Sequence, residues 1–247
     1  MNRTIVVTGG ASGIGRAITD LFHDYGDHIW ICSRSKPKNI KSEKIHHVSM
    51  DVRNQRSVQQ LGQLAAQKSK KIDVWINAAG VSEWKPLASV TEKFFDDIYE
   101  TNVKGTFWGC QTSAAYMKNG GAIVNISSLA GKRGSANNSV YCASKFSVNG
   151  ITQALAKELG PKQIRVNAVC PVYVETQYIL NSLKDKNAPS QGKSVVSYLK
   201  NFANTQTALG RLPTAAEIAE VVFFLASSSA SAMTGQCINV DCGTLPQ

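Results

Sequence analysis

Short apolar, β-branched runs recur along the chain: "TIVVTG" (4–9), "HIWICS" (28–33), "HHVSMD" (46–51), "DVWINAAG" (73–80), "GAIVNISS" (121–128), "IRVNAVCP" (164–171) and "QCINVDCG" (236–243). Between them, segments 14–25, 55–68, 92–117, 141–159 and 215–227 place apolar residues at helical spacing. Strand and helix therefore alternate, the pattern of βαβ units around a parallel sheet with helices on both faces. The apolar runs are continuous rather than alternating, as strands buried on both faces require. The pattern predicts an α/β fold with a doubly wound parallel sheet. No linker, repeat or biased segment divides it, so one domain over residues 1–247 is expected. Residues 176–209 break the rhythm with a polar stretch around Pro189 and an amphipathic piece at "VVSYLKNF". A long irregular excursion in a compact α/β domain usually forms a lid or binding loop.

Composition narrows the class. The 247 residues are 43% hydrophobic and 18% charged, enough apolar material for a sizeable core. The first glycines arrive after too few apolar residues for a secretory signal, and no run approaches a membrane span. A cytoplasmic protein without membrane contact is expected. Cys32, Cys110, Cys142, Cys170, Cys237 and Cys242 are scattered, with no C-x-x-C pair, and read as reduced structural thiols with no metal.

The net charge of +10 raises nucleic acid as a partner. The basic residues cluster at 34–44, 68–71, 132–133 and 184–200, and no aromatics interleave with the first two clusters. Stacking platforms for single strands need those aromatics, so nucleic acid is not expected. A phosphate-bearing cofactor or an anionic substrate uses the same charge.

Two local patterns carry chemistry. The first strand runs into Gly9-Gly10-Ala11-Ser12-Gly13-Ile14-Gly15, and a helix follows at once. Glycines make such a turn tight and let the backbone approach a diphosphate, while the helix start offers N–H donors. The spacing is G-x-x-x-G-x-G rather than G-x-G-x-x-G. About 20 residues further on, an acid would read a ribose 2′-hydroxyl and an arginine a 2′-phosphate. Ser33-Arg34 stands there, with Lys36 and Lys38 nearby and no acid, which predicts NADP(H) over NAD(H). The second pattern is "VYCASK", in which Tyr141 and Lys145 share a helix face. Alone, that spacing favours a solvated stripe, because Tyr-x-x-x-Lys occurs by chance in many soluble helices.

Thr8-Gly9-x-x-x-Gly13-Ile14-Gly15, Asn77-Ala78-Ala79-Gly80, Asn102, Ser128 and Tyr141-x-x-x-Lys145 follow in the order and spacing of the short-chain dehydrogenase/reductase family. The chain resembles that family over nearly its whole length, ending in "TGQCINVDCG", which looks like the family's last strand. The resemblance implies a Rossmann-type fold and reversible hydride transfer between a nicotinamide and a carbonyl or secondary alcohol. It implies Tyr141 as proton donor and acceptor, with Lys145 lowering its pKa and holding the nicotinamide ribose. A nearby cation favours a phenolate, which agrees with that role. It gives Ser128 to the substrate oxygen, and strand alternation also favours Ser128 over Ser127. It makes Asn102 a helix kink that holds a proton-relay water.

For the cofactor, the resemblance implies Gly9, Ser12, Gly13, Ile14 and Gly15 at the diphosphate and Ser33 and Arg34 at the adenosine ribose. It puts Asp51 and Val52 at the adenine, Asn77, Ala78 and Gly80 along the cleft, and Pro171 and Thr176 beside the carboxamide. Val172 stands where the family usually has glycine, and Cys242 replaces another. Relatives of this type act on 3-oxoacyl carrier thioesters, sugars and polyols, or steroids. The basic 132–133 pair and the polar 184–200 segment lean toward a polar, carrier-bound or phosphate-bearing substrate. A homo-oligomer, dimer or tetramer, is implied through the helices at 92–117 and 141–159. The opposing expectation is a cofactor sensor or scaffold without turnover, to which Val172 alone points.

Overall fold

The computed structural model describes residues 2–37, 42–118 and 120–246. Among the described residues seven strands form a single sheet: β1 (Thr4–Thr8), β2 (His28–Ser33), β3 (Ile45–Ser49), β4 (Val74–Asn77), β5 (Gly121–Ile126), β6 (Ile164–Pro171) and β7 (Cys237–Val240). Their spatial order is β3-β2-β1-β4-β5-β6-β7, and every pairing is parallel. The chain builds outward from β1 to β3, then returns to lay β4 on the other side of β1. That reversal opens a crevice at the carboxyl ends of β1 and β4, where ligands of doubly wound sheets bind.

The described residues also form the α-helices α1 (Gly13–Asp24), α2 (Gln55–Ser69), α3 (Glu92–Tyr99), α4 (Gly105–Tyr116), α5 (Ser139–Leu159), α6 (Gln177–Ser182), α7 (Val195–Gln206) and α8 (Ala215–Leu225). β1 shows how one strand serves two cores. Ile5 and Val7 face α1 and α8, packing with Ile18, Phe22, Ile218 and Val222. Val6 faces the opposite way, toward Val58 and Leu61 of α2 and Cys110 of α4. This alternation on a continuous apolar strand is the period-two geometry of a sheet buried on both sides. At the bottom of the sheet the Asp27 carboxylate, fully buried, takes hydrogen bonds from the Arg3 backbone N–H and guanidinium, the shortest at 2.7 Å.

The expected strands all form, but five of them, β1, β3, β4, β5 and β7, end sooner than their apolar stretches. β4 closes at Asn77, leaving Ala78–Gly80 beyond it, and β5 closes at Ile126, leaving Ser127 and Ser128 free of the ladder. Both tails lie at the carboxyl edge and enter the site. The helix expected over 92–117 is interrupted by a π-helical turn, Glu100–Lys104, between α3 and α4. π-turns within helices are frequent at functional sites.

The 176–209 excursion is more ordered than its polarity suggests. It carries α6 and α7, and Leu183, Ala188 and Leu199 bury against Trp84, with Tyr173 and Tyr198 at the margin. Its few apolar residues form a satellite core that a reading dominated by Asn, Ser and Lys misses. Among the described residues no helix is long and apolar enough to cross a membrane.

Candidate active site

The glycine turn between β1 and α1 is a cradle that only glycine fits. Gly9 and Gly13 take positive φ values of 69° and 55°. A Cβ on Gly15 would stand 2.3 Å from the Gly9 carbonyl oxygen, and one on Gly9 would stand 2.9 Å from the Ala79 backbone. The Thr8 hydroxyl accepts from the Ala78 and Ala79 N–H groups at 3.2 and 3.3 Å, tying the tail of β4 to the turn. At the start of α1, Ser12 makes no capping hydrogen bond and the first turn holds no acid. Its N–H donors and positive dipole end therefore face no competing side chain of the helix. These features fit a dinucleotide diphosphate.

Ser33 and Arg34 lie at the carboxyl end of β2, and Arg34 is exposed. Asp51 is neighbour to Arg34 but ion-pairs with Arg53 at 2.7 Å. Partial burial works against ionisation there, yet the hydrogen bonds and charge of Arg53, with Arg34, hold the Asp51 carboxyl below its usual range. Val52 is buried against the start of α4, where a Cβ on Gly105 would meet it at 2.8 Å. Lys38 lies outside the described residues.

Four elements bring the reactive side chains together. Ser127 is buried and donates to the Lys145 carbonyl at 3.3 Å, so its hydroxyl is spent inside the fold. Ser128 turns the other way: its oxygen accepts from Ala130 N–H at 3.1 Å and its hydroxyl lies within hydrogen-bonding reach of the Tyr141 phenol. Tyr141 and Lys145 project from one face of α5, with the Lys145 ammonium 5.8 Å from the phenol ring centroid. That ammonium is buried and donates to the Ile126 carbonyl at 2.9 Å. Asn102 is fully buried in the π-turn, accepting from Val81 N–H at 2.8 Å and donating to Val81 O at 2.9 Å and Ser144 Oγ at 3.0 Å. Gly80 seals the group: a Cβ there would stand 3.3 Å from Asn102 Oδ1 and 3.6 Å from Lys145 Nζ.

The electrostatics differ from the expected lowering of the tyrosine. Burial pushes the Tyr141 phenol up to about 12, opposed by the Ser128 hydrogen bond, while burial brings Lys145 down to about 8. Both groups are pushed toward their neutral forms, because desolvation outweighs a cation several ångströms away whose hydrogen bond is committed to Ile126.

One expected cofactor contact is drawn into the core, and another sits beside the glycine turn. The Asn77 side chain is 2% exposed and belongs to a core network: its oxygen accepts from Trp75 Nε1 at 2.8 Å and its amide donates to Asn125 at 2.9 Å, which passes on to Thr152. Any Asn77 contribution to the cleft is therefore from its backbone. Thr176 caps α6 through its hydroxyl, accepting from Ile179 N–H at 3.3 Å, and its methyl would touch a Cβ on Gly13. Pro171 is buried at the end of β6, and Val172 is half-buried without a left-handed backbone.

Tyr178 on α6 was not legible in the sequence. Its phenol oxygen accepts from Ser82 N–H at 2.6 Å and donates to Ser82 O at 3.0 Å, so α6 spans from β6 to the tail of β4. Only the aromatic residues flanking "VET" in "VYVETQY" hint at such a strap. The six cysteines are free, and Cys242 takes a left-handed φ of 53°.

A family model described as enoyl-(acyl carrier protein) reductase matches residues 9–244. The chain is 33% identical over 252 residues to the 3-oxoacyl-[acyl-carrier-protein] reductase FabG of Thermotoga maritima, covering 98% of this chain and 97% of that one. The ligand-free aldohexose dehydrogenase of Thermoplasma acidophilum superposes with a TM-score of 0.90 at 29% identity, covering 98% of this chain and 94% of that one. An actinorhodin polyketide ketoreductase solved with NADPH superposes with a TM-score of 0.87 at 28% identity, covering 98% and 97%. With the turn, the sheet order and the Ser-Tyr-Lys group in place, the chain belongs to the short-chain dehydrogenase/reductase family and is an oxidoreductase.

Proposed function

We propose that the protein interconverts a carbonyl and a secondary alcohol with NADP(H), and that Ser128, Tyr141, Lys145 and Asn102 form its catalytic group. The observation that carries this reading is the meeting of Tyr141, Ser128 and Lys145 beside the glycine turn at the switch point of the sheet. The nicotinamide, when bound, supplies hydride chemistry. The chain's residues bind, orient and move the proton. Gly9, Ser12, Gly13, Ile14 and Gly15 would hold the diphosphate, Asp51 and Val52 the adenine end, and Ala78, Gly80, Pro171 and Thr176 the nicotinamide side.

In carbonyl reduction, Ser128 and Tyr141 donate hydrogen bonds to the substrate oxygen, and the Tyr141 proton passes to that oxygen as negative charge develops there. Burial keeps the Tyr141 phenol protonated near neutrality, so the proton is in place, and the weaker acidity that burial brings is what the Ser128 hydrogen bond and the Lys145 ammonium oppose. The phenolate left behind is the state that the Lys145 ammonium favours. With the cofactor bound, Lys145 would also hold the nicotinamide ribose, and Asn102 would hold the water that returns a proton to this group.

The cofactor reading rests on Arg34, on the absence of an acid at the end of β2, and on the NADPH carried by the actinorhodin ketoreductase. For the substrate, a 3-oxoacyl thioester or a keto sugar fits best, following the names of the Thermotoga and Thermoplasma relatives. Lys132 is committed to the Cys237 carbonyl at 2.5 Å, which leaves the exposed Arg133, near Tyr173, to meet an anionic part of the substrate. Exposed Phe107 on α4 and Phe146 on α5 support pairing of those helices in a cytoplasmic homodimer or homotetramer.

The test follows absorbance of the reduced nicotinamide while protein meets β-ketoacyl thioesters, keto sugars and simple diketones with NADPH or NADH. Faster turnover with NADPH on the first two classes supports the reading. Tight NADPH binding with no turnover on any class would point to the sensor role.

A further inference from the structure

The turn that carries Arg34 is not self-supporting, and the residues that hold it come from β3. Ser33 is the last residue of β2, in register with Ser49 of β3. The Ser33 hydroxyl oxygen lies 2.8 Å from His47 Nε2 and 2.7 Å from the Ser35 carbonyl oxygen. A carbonyl can only accept, so the Ser33 proton points to Ser35. The Ser33 oxygen is then an acceptor, which fixes the His47 proton on Nε2. Two residues along, the Ser49 hydroxyl donates to the Arg34 carbonyl at 3.0 Å. Ser33–Ser35 is thus gripped on both sides of Arg34.

The surroundings give that grip a purpose. Arg34 and Lys36 add positive charge at this edge, and the nearby acid, Asp51, is occupied by Arg53. Burial and the charge of Lys36 keep the His47 pKa below its ordinary value, so near neutrality the ring works as a neutral hydrogen-bond donor. A bidentate guanidinium–phosphate contact depends on a pre-aimed fork.

We propose that His47 is a positioning residue for cofactor selectivity: through Ser33, and together with Ser49, it aims Arg34 at the 2′-phosphate of NADP(H). This rests on the NADP(H) reading above. NADH lacks that phosphate and makes no demand on the turn, so the effect is selective.

The experiment measures the dissociation constants of NADPH and NADH by nicotinamide fluorescence on the purified full chain. His47→Phe keeps the ring shape and removes the donor; His47→Gln returns an N–H at the same reach; Ser49→Ala releases the Arg34 carbonyl; Arg34→Ala removes the fork. His47→Phe should weaken NADPH about three- to tenfold, the range for one lost hydrogen bond, and leave NADH within about twofold. His47→Gln should recover most of the loss, and Ser49→Ala should shift the NADPH:NADH ratio in the same direction. Equal weakening of both cofactors would mean a merely structural role and overturn the proposal, as would no change in the ratio with His47→Phe and Ser49→Ala. If Arg34→Ala destroys selectivity while those two variants keep it, only the role of β3 fails. If the wild type prefers NADH and Arg34→Ala changes nothing, the cofactor reading fails and this proposal with it.

Discussion

Replacing Lys145 by methionine should end turnover and stabilise the protein. Lys145 is 5% exposed and loses its proton near 8 in the folded chain, against 10.5 for an unperturbed lysine. At 1.36 kcal/mol per pH unit, that gap corresponds to about 3 kcal/mol of penalty for burying the charged amine. The folded pKa is depressed and the group is a base, so the penalty is complete below pH 8, fades as pH rises from 8 to 10.5, and is absent above that. Methionine has similar length and carries no charge. Against the gain stands the Ile126 carbonyl, which loses its 2.9 Å donor at a cost of about 1–2 kcal/mol. The net expectation at pH 7 is a gain of about 1–2 kcal/mol, or roughly 3–6 °C in Tm for a chain of this size. Urea unfolding of wild type and Lys145→Met at pH 7 and pH 9.5 measures it. The advantage should shrink by about 2 kcal/mol at the higher pH, following the linkage slope. A variant less stable than wild type at pH 7, or a difference independent of pH, would refute the reasoning that Lys145 is held as a destabilising charge.

Three further outcomes follow. Cys242→Gly relieves a left-handed φ of 53°, and the gain over the added chain entropy should be about 0.5–1 kcal/mol in urea unfolding. Asn102→Ala removes the partners of both Val81 backbone groups and should cost about 2–4 kcal/mol, read from the same assay. Gly15→Ala forces a Cβ to within 2.3 Å of the Gly9 oxygen, so dinucleotide binding measured by fluorescence should fall at least about tenfold, the scale of a 1.4 kcal/mol loss.

Much of the fold was legible because its signals are local. A strand buried on both faces must be continuously apolar, and a tight turn into a helix must be glycine-rich, so β1, the cradle and α1 could be read from about twenty residues. The preference for Ser128 over Ser127 rests on alternation and on the family resemblance, and the two hydroxyls do take different partners: Ser127 donates to the Lys145 carbonyl while Ser128 lies within reach of Tyr141. What escaped depends on long-range geometry. The Asn77 side chain looks like a cleft residue until β5 and α5 are seen to absorb its amide. Tyr178 meets Ser82 across 96 residues, and no periodicity reports such a contact. The pKa of Tyr141 was misjudged for the same reason: sequence spacing names its cationic neighbour, while burial, which dominates, is a property of the packed site. The polar 176–209 excursion showed α7 only as the amphipathic piece "VVSYLKNF" and concealed α6, because a satellite core needs only a few apolar residues when Trp84 supplies the other half.

The most direct test of the catalytic reading is single-turnover reduction of the best carbonyl substrate by saturating NADPH, comparing wild type with Tyr141→Phe. The account predicts that the variant binds NADPH as wild type does and transfers hydride about 10²- to 10⁴-fold more slowly, the contribution of a positioned proton donor. Hydride transfer at the wild-type rate with Tyr141 replaced would contradict it.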